Sequence, residues 1–204
     1  MVVVVAIEGV HGVGKTTLIN MLRERGRTVI DEEFMDTSMN KYSPTKIARQ
    51  IVWLANWIQR VVVAAENRQM KNILYPAQST NTLYIDRSML SALIYNTVET
   101  DKNTLEYIIQ KSIGELKEMG IHIYTILLTD DKQEAWTRIQ KRLEDEPERV
   151  KYDEHKEEHY KRIWGEYYRE KRNLWNACMK PPMDMSEEET IQCLDNLVQR
   201  ITNY

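Results

Sequence analysis

The chain has 204 residues, 42% apolar and 29% charged, with a formal net charge of −3 and two cysteines. That length suits one well-buried α/β domain, the charge argues against a polyanion-binding surface, and no apolar run reaches the length of a membrane span. Cys178 and Cys193 lack paired spacing, which argues against a disulfide or zinc framework and fits a reducing, cytoplasmic setting.

Val2–Ile7 is apolar at every position, as a strand buried on both faces of a parallel sheet must be. Met1–Val5 lacks the basic flank and cleavage site of a signal peptide. Leu18, Met21 and Leu22 then recur at helical spacing and predict a helix over Thr16–Arg25. Between strand and helix stand Gly9, Gly12 and Gly14, three of only seven glycines. The octet Gly9-Val10-His11-Gly12-Val13-Gly14-Lys15-Thr16 satisfies G-x-x-x-x-G-K-[ST] in full. Backbone amides of such a loop, with the positive end of the next helix, form an anion cradle. Lys15 can reach the terminal phosphates and the Thr16 hydroxyl can ligate Mg²⁺, so Gly9 to Thr17 is the expected nucleoside triphosphate site.

The next strand, Thr28–Glu32, runs into Asp31-Glu32-Glu33. A carboxylate there can take a proton from a substrate hydroxyl attacking the γ-phosphate, or be a plain surface acid. A helix over Thr45–Asn72 carries Trp53 and Trp57 in an apolar stripe, which reads as core or as the wall of a nucleobase pocket. The strand Thr82–Asp86 leads into Asp86-Arg87-Ser88. Asp86 can hold Mg²⁺ through water and Arg87 can orient a substrate oxygen or the base; a buried structural ion pair is the competing account.

Helices are predicted over Met89–Val98 and Thr104–Met119, a strand over Ile121–Leu128, and a helix over Lys132–Arg142. Arg138 and Arg142 share a helix face and can close over a transferring phosphate. The acidic run Glu144–Glu148 follows, as in a lid; a solvated charged helix is the alternative. A charged helical segment spans about Tyr152 to Ala177, where His155 and His159 lack the H-E-x-x-H order of a metal pair. A last strand is predicted over Pro182–Met185, and Ser186 with Glu189 reads as a capping box for a final helix ending near Ile201.

Alternating strands and helices imply a parallel sheet of five strands covered on both faces, with ligands at the carboxyl ends of the strands. The GTPase motifs D-x-x-G and N-K-x-D do not occur. In this order, the clusters resemble those of the thymidylate kinase and deoxynucleoside kinase superfamily of P-loop kinases, and herpesvirus-type thymidine kinases in particular. His11-Gly12-Val13-Gly14-Lys15-Thr16-Thr17, Asp86-Arg87 with the following Ser91-Ala92-Leu93-Ile94-Tyr95, and Arg138, Lys141-Arg142 and Glu148-Arg149 carry the resemblance.

The resemblance implies a three-layer α/β P-loop NTPase fold, one domain over 1–204, with a short basic lid at about 138–150. It implies ATP-dependent transfer of the γ-phosphate to the 5′-hydroxyl of a deoxynucleoside, thymidine or another pyrimidine deoxynucleoside, with thymidylate as the alternative acceptor. Lys15 and Thr16 would serve phosphate and Mg²⁺. Glu32 would be the base, and Glu33, standing where the family has proline, could exchange roles with it. Arg87 would steady that acid and the 5′ oxygen, and Arg138 and Arg142 would clamp the phosphates. Glu148 would hold the sugar 3′-hydroxyl, and Tyr95 stands one residue short of the base-stacking position. Gln59, ahead of Gln50, would read the base, while Glu144 stands where a lid arginine is usual.

The expected partner is a small nucleoside or nucleotide, with no polymeric nucleic acid and no membrane. A homodimer is left open, and the location is cytoplasmic, the host cytosol for a viral chain. A regulator that binds ATP without transferring phosphate is the reading from another class; lid arginines and rim acids speak against it.

Overall fold

The computed structural model describes residues 1–31, 45–74, 81–168, 174–180 and 186–203. Strand β1 (Val2–Glu8) is buried at every position because it is central in a five-stranded sheet ordered β2-β3-β1-β4-β5. Its companions are β2 (Val29–Ile30), β3 (Thr82–Asp86), β4 (Ile121–Leu128) and β5 (Ala177–Met179). Every pairing is parallel. Ile7 lies beside Asp86 and Ile126, and Ile30 beside Ile85, so the residues following β1, β2 and β3 emerge along one rim.

Successive side chains of a strand point to opposite faces, and β1 divides accordingly between two cores. Val3, Val5 and Ile7 pack with α1 (Lys15–Glu24), α5 (Lys132–Asp145), α6 (Glu157–Tyr168) and α7 (Glu187–Thr202). Val2, Val4 and Ala6 pack with Trp53, Leu54, Trp57 and Val61 of α2 (Lys46–Leu74) and with Leu105 and Ile109 of α4 (Glu99–Glu118). The result is a parallel sheet covered on both faces, as the alternation of elements implies, in the three-layer P-loop NTPase-like fold that the resemblance implies. No described helix is long and apolar enough to cross a membrane.

Several boundaries differ from expectation. The helix expected over Met89–Val98 is only α3 (Ser91–Tyr95). Asn96 turns extended and its side chain accepts the Val98 amide, and α4 then starts at Glu99 rather than Thr104, with Glu99 and Asp101 in its first turn, where acids favour a helix start. The helical segment expected from Tyr152 is interrupted: a 3₁₀ turn (Pro147–Tyr152) ends at Asp153 in the left-handed region, and α6 begins at Glu157. Ala177, expected at the end of that segment, instead opens β5, while the predicted strand Pro182–Met185 lies outside the described residues. The capping box is present: the Ser186 hydroxyl accepts the Glu189 amide, and the Glu189 carboxylate accepts the Ser186 amide at 2.8 Å.

Candidate active site

After Glu8 the chain curls from β1 into α1, and the Lys15 ammonium donates to the carbonyls of Gly9 (2.7 Å) and Val10 (2.9 Å). Lys15 is 7% exposed, and Val10 and Val13 beside it are buried, which roots the loop in the core. Gly14, with φ 88°, occupies the N-cap of α1; it has no side chain to cap the helix, and no acid lies in the first turn. Side chains cap α5 and α7, by contrast: Asp131 accepts the amides of Gln133 and Glu134, and Ser186 that of Glu189. The first N–H groups of a helix need acceptors, and α1 offers them, with its positive dipole end, to an external anion. Thr16 and Thr17 are exposed there. Gly12, with φ 83°, is required for another reason: a Cβ on it would overlap the Ala135 carbonyl of α5. Its absence lets α5 lie directly on the loop.

Fully buried Glu8 ties the Asp86-Arg87-Ser88 turn to this loop. Its Oε1 accepts the Ser88 amide (2.7 Å), the Ser88 hydroxyl (2.9 Å) and the Ser91 hydroxyl (2.7 Å), and its Oε2 accepts the Tyr167 hydroxyl (2.8 Å). Burial, then the Glu8 charge, push the Tyr167 hydroxyl well above its ordinary range, keeping it a donor. Arg87 adopts φ 66°, uncommon for a residue with a side chain and a conformation that clusters at functional turns. Its carbonyl accepts the Trp57 indole N–H at 3.1 Å, and its guanidinium donates to the hydroxyls of Tyr95 (3.2 Å) and Tyr167 (3.3 Å).

The arginines of α5 converge on the same place. Arg138 donates from Nε to the Gly12 carbonyl (2.8 Å) and from Nη2 to Asp130 (2.6 Å). Arg142 donates from Nη2 to Glu154 Oε2 (2.6 Å), and Arg149 donates to Glu154 Oε1 (3.3 Å) while also pairing with Glu146. His11, inside the loop, completes the cluster, with Nδ1 at 3.3 Å from Glu154 Oε1 and Nε2 at 2.9 Å from the Tyr95 hydroxyl. Burial first, then the charges of Arg87, Lys15 and Arg142, hold the His11 imidazole well below its ordinary pKa.

The fold thus gathers the stretch Gly9 to Thr17, Asp86, Arg87, Tyr95, Arg138 and Arg142 at one rim. The other expected residues stand differently. Trp57 is fully buried, with its N–H bonded to the backbone, so it is core and not a pocket wall. Gln59 is exposed, whereas Gln50, three residues before Trp53, is half-buried, and its Oε1 is buried without a partner among the described residues. Glu148 is exposed in the 3₁₀ turn, and among the described residues no hydrogen bond or ion pair joins it to the site. Glu32 and Glu33 lie outside the described residues. Asp31, just before them, pairs with Arg23, and its carbonyl accepts from Arg60 of α2.

Glu8, Asp130 and Glu154 were missed by sequence reasoning. Glu8 carries a usable signal, because a charge closing an all-apolar buried strand must find partners. Glu154 carries none: its partners come from three separate segments. As for Mg²⁺, the oxygen donors at the rim are the exposed Thr16 hydroxyl and the half-buried Asp86 carboxylate. Among the described residues no group of three or more His, Cys, Asp or Glu could hold a metal. That donor set fits an ion that keeps waters and binds mainly through substrate phosphates.

Residues 4–176 match the family described as AAA domain. No curated protein matches the sequence. Among solved structures, the chain is similar to a deoxyadenosine kinase from M. mycoides with bound dATP, at TM-score 0.52 and 16% identity over 96% of this chain and 99% of that one. It is also similar to the deoxyadenosine kinase from M. mycoides with bound dCTP, at TM-score 0.50 and 18% identity over 97% and 99% of the two chains. At such identities the likeness is one of fold.

Proposed function

The chain belongs to the AAA domain family, and on that premise we propose that it is an ATP-dependent phosphotransferase acting on the 5′-hydroxyl of a deoxynucleoside, thymidine or another pyrimidine deoxynucleoside first. One observation carries this reading: Arg138 of α5 is bonded to the Gly12 carbonyl of the phosphate loop, with Arg142 one turn further along. Cations from a separate helix brought onto a triphosphate loop suit a group whose charge rises during transfer. A protein that only binds ATP has no need of them.

In the proposed reaction, the 5′-oxygen attacks the γ-phosphorus and the bond to the β–γ bridging oxygen breaks. ADP leaves with the electron pair, and the 5′-hydroxyl proton passes to the Glu32 carboxylate. Asp31 supports that assignment, because it follows β2, whose Ile30 pairs with Ile85 next to Asp86. Lys15, Arg138 and Arg142 stabilise the transferring group, and Arg87 orients the acid and the acceptor oxygen. Thr16, and Asp86 through water, would hold Mg²⁺, which would supply positive charge against the phosphate oxygens. The Gln50 oxygen, without a partner among the described residues, favours Gln50 over Gln59 as the residue that reads the base. Residues 1–204 act as one domain, with 138–150 as its lid.

An acceptor panel with labelled ATP tests the reading. Thymidine is expected to be phosphorylated, and deoxycytidine and deoxyadenosine belong in the panel because the similar structures are of a deoxyadenosine kinase. Glu32→Gln should lower turnover roughly 100- to 10,000-fold. A folded protein that transfers phosphate to no member overturns the proposal. Thymidylate also belongs in the panel, because Arg23 and Arg60 both converge on Asp31 at the rim and could meet an acceptor phosphate. Transfer to thymidylate alone would make the chain a thymidylate kinase.

A further inference from the structure

Glu154 has no part in the reaction described above, yet two arginines and a histidine converge on it beside the loop. Its side chain is 2% exposed and accepts from Arg142, Arg149 and His11. The donor directions in this cluster are fixed by chemistry. The Glu154 carboxylate only accepts, so His11 donates to it from Nδ1, and Nε2 of an uncharged ring then accepts from the Tyr95 hydroxyl. The imidazole proton must then sit on Nδ1, facing Glu154. The lowered pKa of His11 agrees with an uncharged ring. Arg142 is gripped at one corner only: Nη2 is bonded to Glu154, while its Nε is buried without a partner among the described residues.

We propose that Glu154 is a positioning residue, which holds the guanidinium groups of Arg142 and Arg149 at the phosphate loop and is itself anchored there by His11. It acts through the arginines and touches no substrate. The inference rests on the reading of Arg142 as a phosphate clamp, and its physical basis is simple. A long arginine side chain keeps several rotamers unless a second charge fixes it, and the buried carboxylate fixes two at once.

The test compares Glu154→Gln with the unmodified full chain. Affinity is measured for the magnesium complex of the imido-bridged, non-hydrolysable ATP analogue and, separately, for magnesium ADP. Positioning predicts about tenfold or greater weakening for the triphosphate analogue and little change for ADP, because the clamp acts at the γ-phosphate. Equal losses for both nucleotides would indicate a merely structural role and overturn the proposal. So would unchanged or tighter triphosphate binding, the latter meaning that Glu154 competes with phosphate for the arginines. Should Glu154→Gln fail to fold, the imidazole ¹⁵N spectrum of the unmodified chain decides: His11 should carry its proton on Nδ1, and an Nε2–H form overturns the anchor. An acceptor panel without any transfer, alongside a selective triphosphate loss in Glu154→Gln, would sink the kinase reading and leave this one standing.

Discussion

The phosphate loop and the arginine cluster above it are built by opposite means. In the loop the partners are near in sequence: Lys15 reaches carbonyls six and five residues back, and glycine conformations do the rest. In the cluster the contacts that tie it to the loop are distant in sequence, Arg138 with Gly12, 126 residues apart, and Glu154 with His11, and charge joins separate segments. Locally encoded geometry survives the loss of one neighbour, whereas a charge cluster depends on every helix that contributes to it. The loop is therefore where a substitution should abolish chemistry and spare the fold, and the cluster is where chemistry and docking should change together.

Replacing Lys15 with Ala should break the loop side of the comparison most severely. Turnover with ATP and the accepted nucleoside is expected to fall roughly 100- to 1,000-fold, as when one preorganised donor is taken from a developing negative charge. The thermal midpoint should move little, because the loop is still shaped by Val10, Val13 and its glycines. Rate and midpoint measured on one preparation check this; a collapse of the midpoint would mean that the ammonium is chiefly a strut for the Gly9 and Val10 carbonyls.

Paired glycine substitutions sharpen the contrast next. A Cβ at Gly12 overlaps the Ala135 carbonyl, while one at Gly14 meets nothing within 4 Å; both residues have positive φ. Gly14→Ala should cost about 1–2 kcal/mol, the left-handed backbone penalty alone. Gly12→Ala should cost about 1–3 kcal/mol more, because α5 must also lift away from the loop. Denaturant unfolding of the two variants tests the ranking, and equal costs would show that α5 is not clamped against Gly12.

The same division decides what could be read in advance. The octet at Gly9, the buried β1 and the Ser186 cap are signals within a few residues, and the structure reproduces β1 and the cap almost to the residue. Failures came where a third element decides. Trp53 and Trp57 show one helical stripe in sequence, and only the Arg87 carbonyl tells that Trp57 is core. Sequence puts Gln59 ahead of Gln50, whereas the packing of α2 leaves Gln59 exposed and Gln50 half-buried. Glu148 matched a motif position, while Glu154, six residues on and outside any motif, is the acid on which the arginines meet.

The smallest effect expected is on pH, and it falls where loop and cluster touch. A charged His11 would gain at Glu154 but would no longer accept from Tyr95, and it would stand buried beside Arg87, Lys15 and Arg142; burial and the three cations outweigh the one acid, so its folded pKa is depressed. In the unfolded chain the ring titrates near its ordinary value of about 6.5. As pH falls through that value the unfolded state binds the proton first, and the folded state is penalised. The stability that neutral His11 contributes is thus complete above about pH 6.5 and declines below it, toward its lower folded pKa. His11→Asn should lie below the parent in thermal midpoint at pH 8, with the gap narrowing as the pH is brought to 5. A gap that stays constant or widens on acidification would mean that His11 is charged in the fold, with its attraction to Glu154 outweighing the arginines around it.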